Sequence, residues 1–133
     1  MGIALDSTLF VDLARRVPAA LRKIQELDAR HEVKVIPTPV AYEVLAGIVQ
    51  TKSRTQASLF RGWVSRFQVA DLDLLAAERS ALIRAELYHL GRPKGTTDIL
   101  TAGIALADGH SLVTRDSDLC AIAGVTGLVV EPY

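Results

Sequence analysis

Gly2-Ile3-Ala4-Leu5-Asp6-Ser7-Thr8 is a short apolar run that ends on a carboxylate and passes into two hydroxyl residues. The apolar residues predict a strand, and Ser7 and Thr8 are cap-like residues that start a helix running to about Arg16. A related pattern returns late in the chain as Ser111-Leu112-Val113-Thr114-Arg115-Asp116-Ser117. If both strands lie parallel in one sheet, Asp6 and Asp116 emerge at the same carboxyl edge, where ligands collect in α/β folds.

The segments between these two stretches alternate in the same way. Pro18 begins a helix with Leu21, Ile24 and Leu27 at helical spacing, ending near Arg30, and Val33-Lys34-Val35-Ile36 is a strand stopped by Pro37. Thr38 and Pro39 are an N-cap and first-turn pair for a helix reaching about Gln50, followed by a helix over Thr55 to Arg66. Gln68 to Leu72 reads as a short strand and Leu74 to Leu90 as a long helix closed by Gly91 and Pro93. Asp98 opens a helix through Ala107 that is apolar or small on every side and must be buried. Ser117 caps a short helix to Ala123, and Leu128-Val129-Val130 is the closing strand. The expected fold is α/β, a mostly parallel sheet covered by helices on both faces.

Composition narrows the class. At 133 residues the chain is expected to be a single domain over residues 1–133, and with 50% hydrophobic and 23% charged residues it is far from disorder. The single cysteine, Cys120, rules out an intrachain disulfide, and the start of the chain carries no basic stretch before its apolar run, so a cytoplasmic protein is expected. No apolar run approaches the roughly 20 residues that span a bilayer, so no membrane partner is expected. Fifteen basic residues balance fifteen acidic ones, which neither supports nor excludes a nucleic-acid partner. Local basic clusters, Arg15, Arg16, Arg22 and Lys23 and then Lys52, Arg54, Arg61 and Arg66, leave room for an acidic pocket with basic flanks, although such clusters are usually solvated helix faces.

Two further acids join Asp6 and Asp116. Glu43 sits in the second turn of its helix, followed one turn on by Ala46 and Gly47, which are too small to cover it. Asp98 sits at the start of the buried helix. Four carboxylates converging on one edge are costly unless a cation sits among them, and an oxygen-only donor set suits Mg2+ or Mn2+ rather than zinc. His31, His89 and His110 lack metal-ligand spacing and are expected at the surface. Such a metal activates water and stabilises charge on a phosphodiester, which makes nuclease chemistry the natural use. Each acid alone also has a structural explanation as a cap, a turn residue or a helix-dipole partner; only their joint placement points to chemistry. Asp12, Asp28, Asp71, Asp73, Glu78, Glu86, Asp108 and Glu131 receive no role.

Leu5-Asp6-Ser7-Thr8, Tyr42-Glu43-Val44-Leu45-Ala46-Gly47, Thr97-Asp98-Ile99-Leu100-Thr101-Ala102 and Leu112-Val113-Thr114-Arg115-Asp116, followed by Asp118-Leu119, occur in an order and spacing that resembles the PIN-domain ribonucleases, particularly the VapC-type toxins of prokaryotic toxin–antitoxin pairs. The resemblance spans nearly the whole chain. It implies a PIN-like three-layer α/β/α sandwich and Mg2+- or Mn2+-dependent endonucleolytic cleavage of RNA by metal-activated water. It also implies a homodimer and a cognate antitoxin. Asp6, Glu43, Asp98 and Asp116 take the family's acidic positions, and Ser7, Thr8 and Thr114 resemble its pocket hydroxyls. In that scheme Asp6 and Asp98 hold the metal, Glu43 binds it or orients water, and Asp116 completes the site. Asp118, two residues beyond Asp116, can share or replace its role.

Other readings fit less well. A haloacid-dehalogenase-like phosphotransferase needs a second Asp where this chain has Thr8, and a phosphoacceptor receiver domain needs an adjacent acidic pair that is missing. Within the family, a housekeeping RNA-processing nuclease or a catalytically silent binding module remain alternatives. Phe60, Trp63, Val64 and Phe67 form an apolar stripe that belongs either to the core or to a protein contact.

Overall fold

In the computed structural model, which describes residues 2–133, the opening stretch forms β1 (Gly2–Leu5) with every residue buried. The chain continues through α1 (Ser7–Ala14), α2 (Pro18–Asp28), β2 (Val33–Pro37), α3 (Thr38–Thr51), α4 (Arg54–Arg66) and β3 (Gln68–Ala70). It then forms α5 (Leu74–His89), α6 (Thr96–Asp108), β4 (Ser111–Val113), α7 (Ser117–Thr126) and β5 (Val130–Glu131). The five strands pair in the order β3-β2-β1-β4-β5, and every pairing is parallel. A wholly parallel sheet requires crossover connections, and the helices supply them.

Alternation along the strands sorts the core into two layers. Ile3, Leu5, Ile36 and Val113 pack with α1 to α4 around Leu9, Phe10, Val40 and Phe60. Ala4, Val35 and Leu112 point the other way and pack with α5 to α7 around Leu87, Ile99, Ala102 and Leu119. Because successive strand side chains face opposite sides, the central strand β1 serves both layers, which is why it is apolar and buried throughout rather than alternating, while Lys34 of β2, Gln68 of β3 and Glu131 of β5 mark where the neighbouring strands reach solvent. The result is the three-layer α/β/α sandwich anticipated from the sequence.

From β1 the strand order runs through β2 and β3 in one direction and through β4 and β5 in the other. The β1–β4 junction is therefore the topological switch point, where a crevice opens at the carboxyl ends of the strands. Leu5 and Val113 are register partners there, and the backbone N–H of Asp6 donates to the carbonyl of Val113 at 3.0 Å. Asp6 and Thr114 thus leave the sheet side by side.

Several local expectations are corrected. Thr38 is the first residue of α3 and does not cap it; Pro37 occupies the N-cap, and the Thr38 hydroxyl instead accepts from the backbone N–H of Leu72 at 3.3 Å, tying α3 to the segment after β3. Ser117 is the first residue of α7, whose cap is Asp116, with Oδ1 accepting from Asp118 N–H at 2.8 Å. Two residues, Thr96 and Thr97, precede Asp98 in α6, so the carboxylate stands in the first turn rather than at its opening. The last strand lies at Val130–Glu131, displaced toward the carboxyl end by Gly127 in the left-handed conformation (φ 78°) that ends α7. The apolar stripe of α4 divides: Phe60 and Phe67 are buried, Trp63 packs its ring 4.9 Å from that of Phe10, and Val64 is exposed. His110 is half-buried, with Nδ1 accepting from Gly2 N–H at 2.9 Å, so it fastens the start of β1 rather than standing free at the surface.

Candidate active site

Asp6 is almost completely buried, and buried carboxylates need hydrogen-bond donors. Two hydroxyls converge on the same oxygen: Thr114 donates to Oδ2 at 2.7 Å and Thr8 at 3.0 Å. Thr114 Oγ1 also accepts the backbone N–H of Asp116 at 2.9 Å, so a single hydroxyl links the first acid to the fourth. Ser7, one residue after Asp6, donates to Glu43 Oε1 at 3.3 Å across to α3. The hydroxyls picked out by sequence are therefore the groups that orient the acids.

Asp98 from α6 meets Asp116 and Asp118 at the start of α7, each offering a carboxylate oxygen within 4.8 Å of the others. Asp6 and Glu43 stand outside that triad, yet their charges act on Asp98. The Asp98 carboxyl is pushed up to about 6, first by burial and then by the charges of Asp116, Asp6, Glu43 and Asp118. Glu43 is raised as well, by burial and then by Asp6, with the Ser7 hydrogen bond opposing and Asp116 adding to the shift. All four acids singled out from the sequence, together with Asp118, thus occupy one electrostatic neighbourhood at the β1–β4 edge. Clustered negative charge with oxygen donors alone, raised carboxyl groups and oxygens close enough to share an ion fits a hard divalent cation.

Beside Glu43 a cavity of about 200 Å3 opens between α1, α3 and α4, bordered by Phe10, Arg15, Gly47 and Trp63. A Cβ on Gly47 would meet nothing within 4 Å, so the small residue one turn after Glu43 does leave open space.

A model of the PIN domain matches residues 3–125. The chain belongs to the PIN-domain family. Among its relatives, the tRNA(fMet)-specific endonuclease VapC of Shigella flexneri is 29% identical over 114 residues, 85% of each chain. The DNA-bound VapBC complex of Salmonella typhimurium contains a chain of the same fold, with TM-score 0.81 and 26% identity over 99% of this chain and 98% of that one. VapBC2 of Rickettsia felis, bound to a fragment of its promoter DNA, gives TM-score 0.85 at 24% identity, covering 100% and 99% of the two chains.

Two features of this PIN domain escaped the sequence reading. Asp12, in α1, is buried and accepts from Arg115 Nε at 2.5 Å, Arg115 Nη2 at 2.9 Å and the Tyr133 hydroxyl at 2.8 Å. The only available hint is that Asp12 falls on the same helical stripe as Leu9 and Leu13. Lys94 Nζ lies 3.0 Å from Asp118 Oδ1, placing a cation against the acidic triad. Nothing in the spacing of Lys94 signals that contact.

Proposed function

We propose that this chain is a Mg2+- or Mn2+-dependent endoribonuclease and the toxin of a toxin–antitoxin pair. The observation that carries the reading is the gathering of Asp6, Glu43, Asp98, Asp116 and Asp118 at the switch point of the sheet, with raised carboxyl groups at Asp98 and Glu43. Kinship with VapC endonucleases supports the reaction class, and neighbours described as VapBC complexes support an antitoxin partner.

In this reading Asp6 and Asp98 would hold the cation, with Asp116 completing the site and Asp118 adjoining. Bound there, Mg2+ or Mn2+ would supply the positive charge that offsets these carboxylates and the charge that develops on a phosphodiester during in-line displacement. Thr8 and Thr114 fix Asp6 by engaging Oδ2, which leaves its Oδ1 available to a ligand. Ser7 engages Glu43 Oε1, so Oε2 is the atom that orients the attacking water and accepts its proton. The raised Glu43 carboxyl suits that role, because a base works best when its pKa approaches the working pH.

The cavity beside Glu43, lined by Phe10, Trp63 and Arg15, is the seat proposed for an antitoxin segment. Tyr42 and Val49 on the outer face of α3, 67% and 73% exposed, support a homodimer contact. No helix among the described residues is long and apolar enough to cross a membrane.

Cleavage of a mixed RNA pool tests the assignment. Wild type with Mn2+ is expected to cut, chelator to stop it, and Asp6→Asn to abolish it. Equal cleavage by Asp6→Asn, or cleavage that persists in excess chelator, would refute it.

A further inference from the structure

We propose that the hollow between the end of α5 and the start of α6 is a subsite for the base and phosphate of a single-stranded RNA nucleotide next to the scissile one. The proposal rests on the nuclease reading for its choice of ligand. The hollow holds about 150 Å3 and is lined by Arg84, Tyr88, Pro93, Lys94 and Thr96. That is below the roughly 300 Å3 of ordinary small-molecule sites, which suits one ring system rather than a whole ligand.

Three observations give it a chemistry. Tyr88 is 77% exposed, and His89 meets its ring nearly edge-on at 5.9 Å, so a large aromatic stands braced in water beside the hollow. Arg84 lies one turn earlier on the same helix, exposed, and no ion pair engages it among the described residues. Lys94 forms part of the hollow's wall and also touches Asp118, so the hollow and the acidic triad share a side.

Aromatic faces stack on any base, and arginine and lysine engage the backbone, the combination by which proteins hold single-stranded RNA. The need is local. The chain carries no net charge, and an acidic cluster repels phosphate, so cations at the rim of that cluster must draw the strand in. A free arginine and an exposed tyrosine flanking a one-ring hollow favour a nucleotide over a protein segment, which would need a longer apolar groove.

The test uses the full chain carrying Asp6→Asn to block cleavage, with Mg2+ and a fluorescent, short, random-sequence single-stranded RNA as probe. Tyr88→Ala is expected to weaken binding about fivefold to a hundredfold, the usual effect of removing one base–aromatic stack. Tyr88→Phe, which keeps the ring, is expected to bind like the parent. Arg84→Ala is expected to flatten the dependence of log affinity on log salt by about 0.7, the slope of one single-strand phosphate contact. Tyr88 and Arg84 are both exposed, and melting temperatures unchanged from the parent check that the fold survives. Unchanged RNA affinity in both alanine variants overturns the subsite, as does altered self-association with unaltered RNA affinity, which would assign the surface to a protein contact. Cleavage by wild type is read separately: loss of binding in the variants with no cleavage by wild type would sink the nuclease reading and leave the subsite standing.

Discussion

Thr114 donates its hydroxyl to Asp6 Oδ2 across 2.7 Å, joining the end of β4 to the end of β1 where the strand order reverses. Thr114 Oγ1 also accepts from Asp116 N–H, and Thr114 is wholly buried, so no water can replace its hydroxyl. Thr114→Val keeps the shape and removes the donor. Leaving Asp6 and the Asp116 N–H short of a partner is expected to cost about 1–3 kcal/mol. Thermal unfolding measures that loss, and Mn2+-linked stabilisation should weaken in parallel because two of the acids lose their orientation. Thr114→Ser, which restores the hydroxyl, should recover most of both.

Asp98 yields a prediction with a defined pH window. Its carboxyl is raised to about 6 in the folded chain from an ordinary value of 3.8. A raised acid contributes stability below its unfolded value and loses it as pH rises through the folded value. Without metal, Asp98→Asn should therefore match wild type near pH 4, gain on it between about pH 4 and 6, and keep a constant advantage above. The advantage is expected to be on the order of 1–2 kcal/mol once solvent screening of a partly exposed group is allowed for. Melting curves of the chelated proteins across this range decide it, and equal stability at pH 7.5 would contradict the crowding described here. The same variant should lose RNA cleavage, so gain of stability and loss of activity arise from one carboxylate.

The layout of these acids was readable because each follows a pattern that depends on near neighbours in sequence. An apolar strand ending on Asp6 or near Asp116 places a carboxylate at the sheet edge whatever the rest of the chain does, and Gly47 announces space beside Glu43 one helical turn away. Caps were less legible. Thr38 and Ser117 have good capping side chains, yet Pro37 and Asp116 hold the cap positions, because the fold draws the Thr38 hydroxyl to the Leu72 N–H and the Asp116 carboxylate takes the Asp118 N–H locally. Partners far apart in sequence were not legible at all. Asp12, Arg115 and Tyr133 are brought together only by the fold, and composition treats Asp12 as one acid among many. The pairing of Lys94 with Asp118 is hidden for the same reason.

The Asp12–Arg115 pair is expected to hold the segment that carries Thr114 and Asp116. Arg115 keeps the Asp12 carboxyl below the usual carboxylate range, burial opposes it, and the Tyr133 hydroxyl and the charges of Arg115 and Arg15 assist. A depressed acid contributes stability above its unfolded value and loses it as pH falls through the folded value, so this contribution fades below about pH 4. Arg115→Ala strands a buried carboxylate with only Tyr133 and should cost about 2–3 kcal/mol at pH 7, less than a fully buried pair because the arginine is half exposed. The deficit relative to wild type should shrink as the pH is lowered toward 3. A deficit independent of pH would show that packing, not the ion pair, is what Arg115 provides.

Gly103 sets how closely α6 approaches α5. A Cβ there would lie 1.9 Å from Ser80 Oγ and 3.0 Å from both Ser80 Cβ and the carbonyl oxygen of Ala76. Ser80 cannot simply swing aside, since it is buried and its hydroxyl donates to Ala76 O at 2.8 Å. Gly103→Ala should therefore destabilise the chain by about 1–3 kcal/mol despite alanine's better helix propensity, because overpacking outweighs the roughly 1 kcal/mol that propensity returns. Adding Ser80→Ala removes the hydroxyl clash and leaves the Cβ and carbonyl contacts, so the double variant should recover part of the loss and not all of it. Chemical denaturation of the two variants separates the terms: full recovery would mean that the hydroxyl alone sets the spacing, and no recovery that the backbone of α5 does. Since Asp98 stands one turn and a half earlier on α6, an outward shift of that helix should also reduce RNA cleavage even where the protein stays folded.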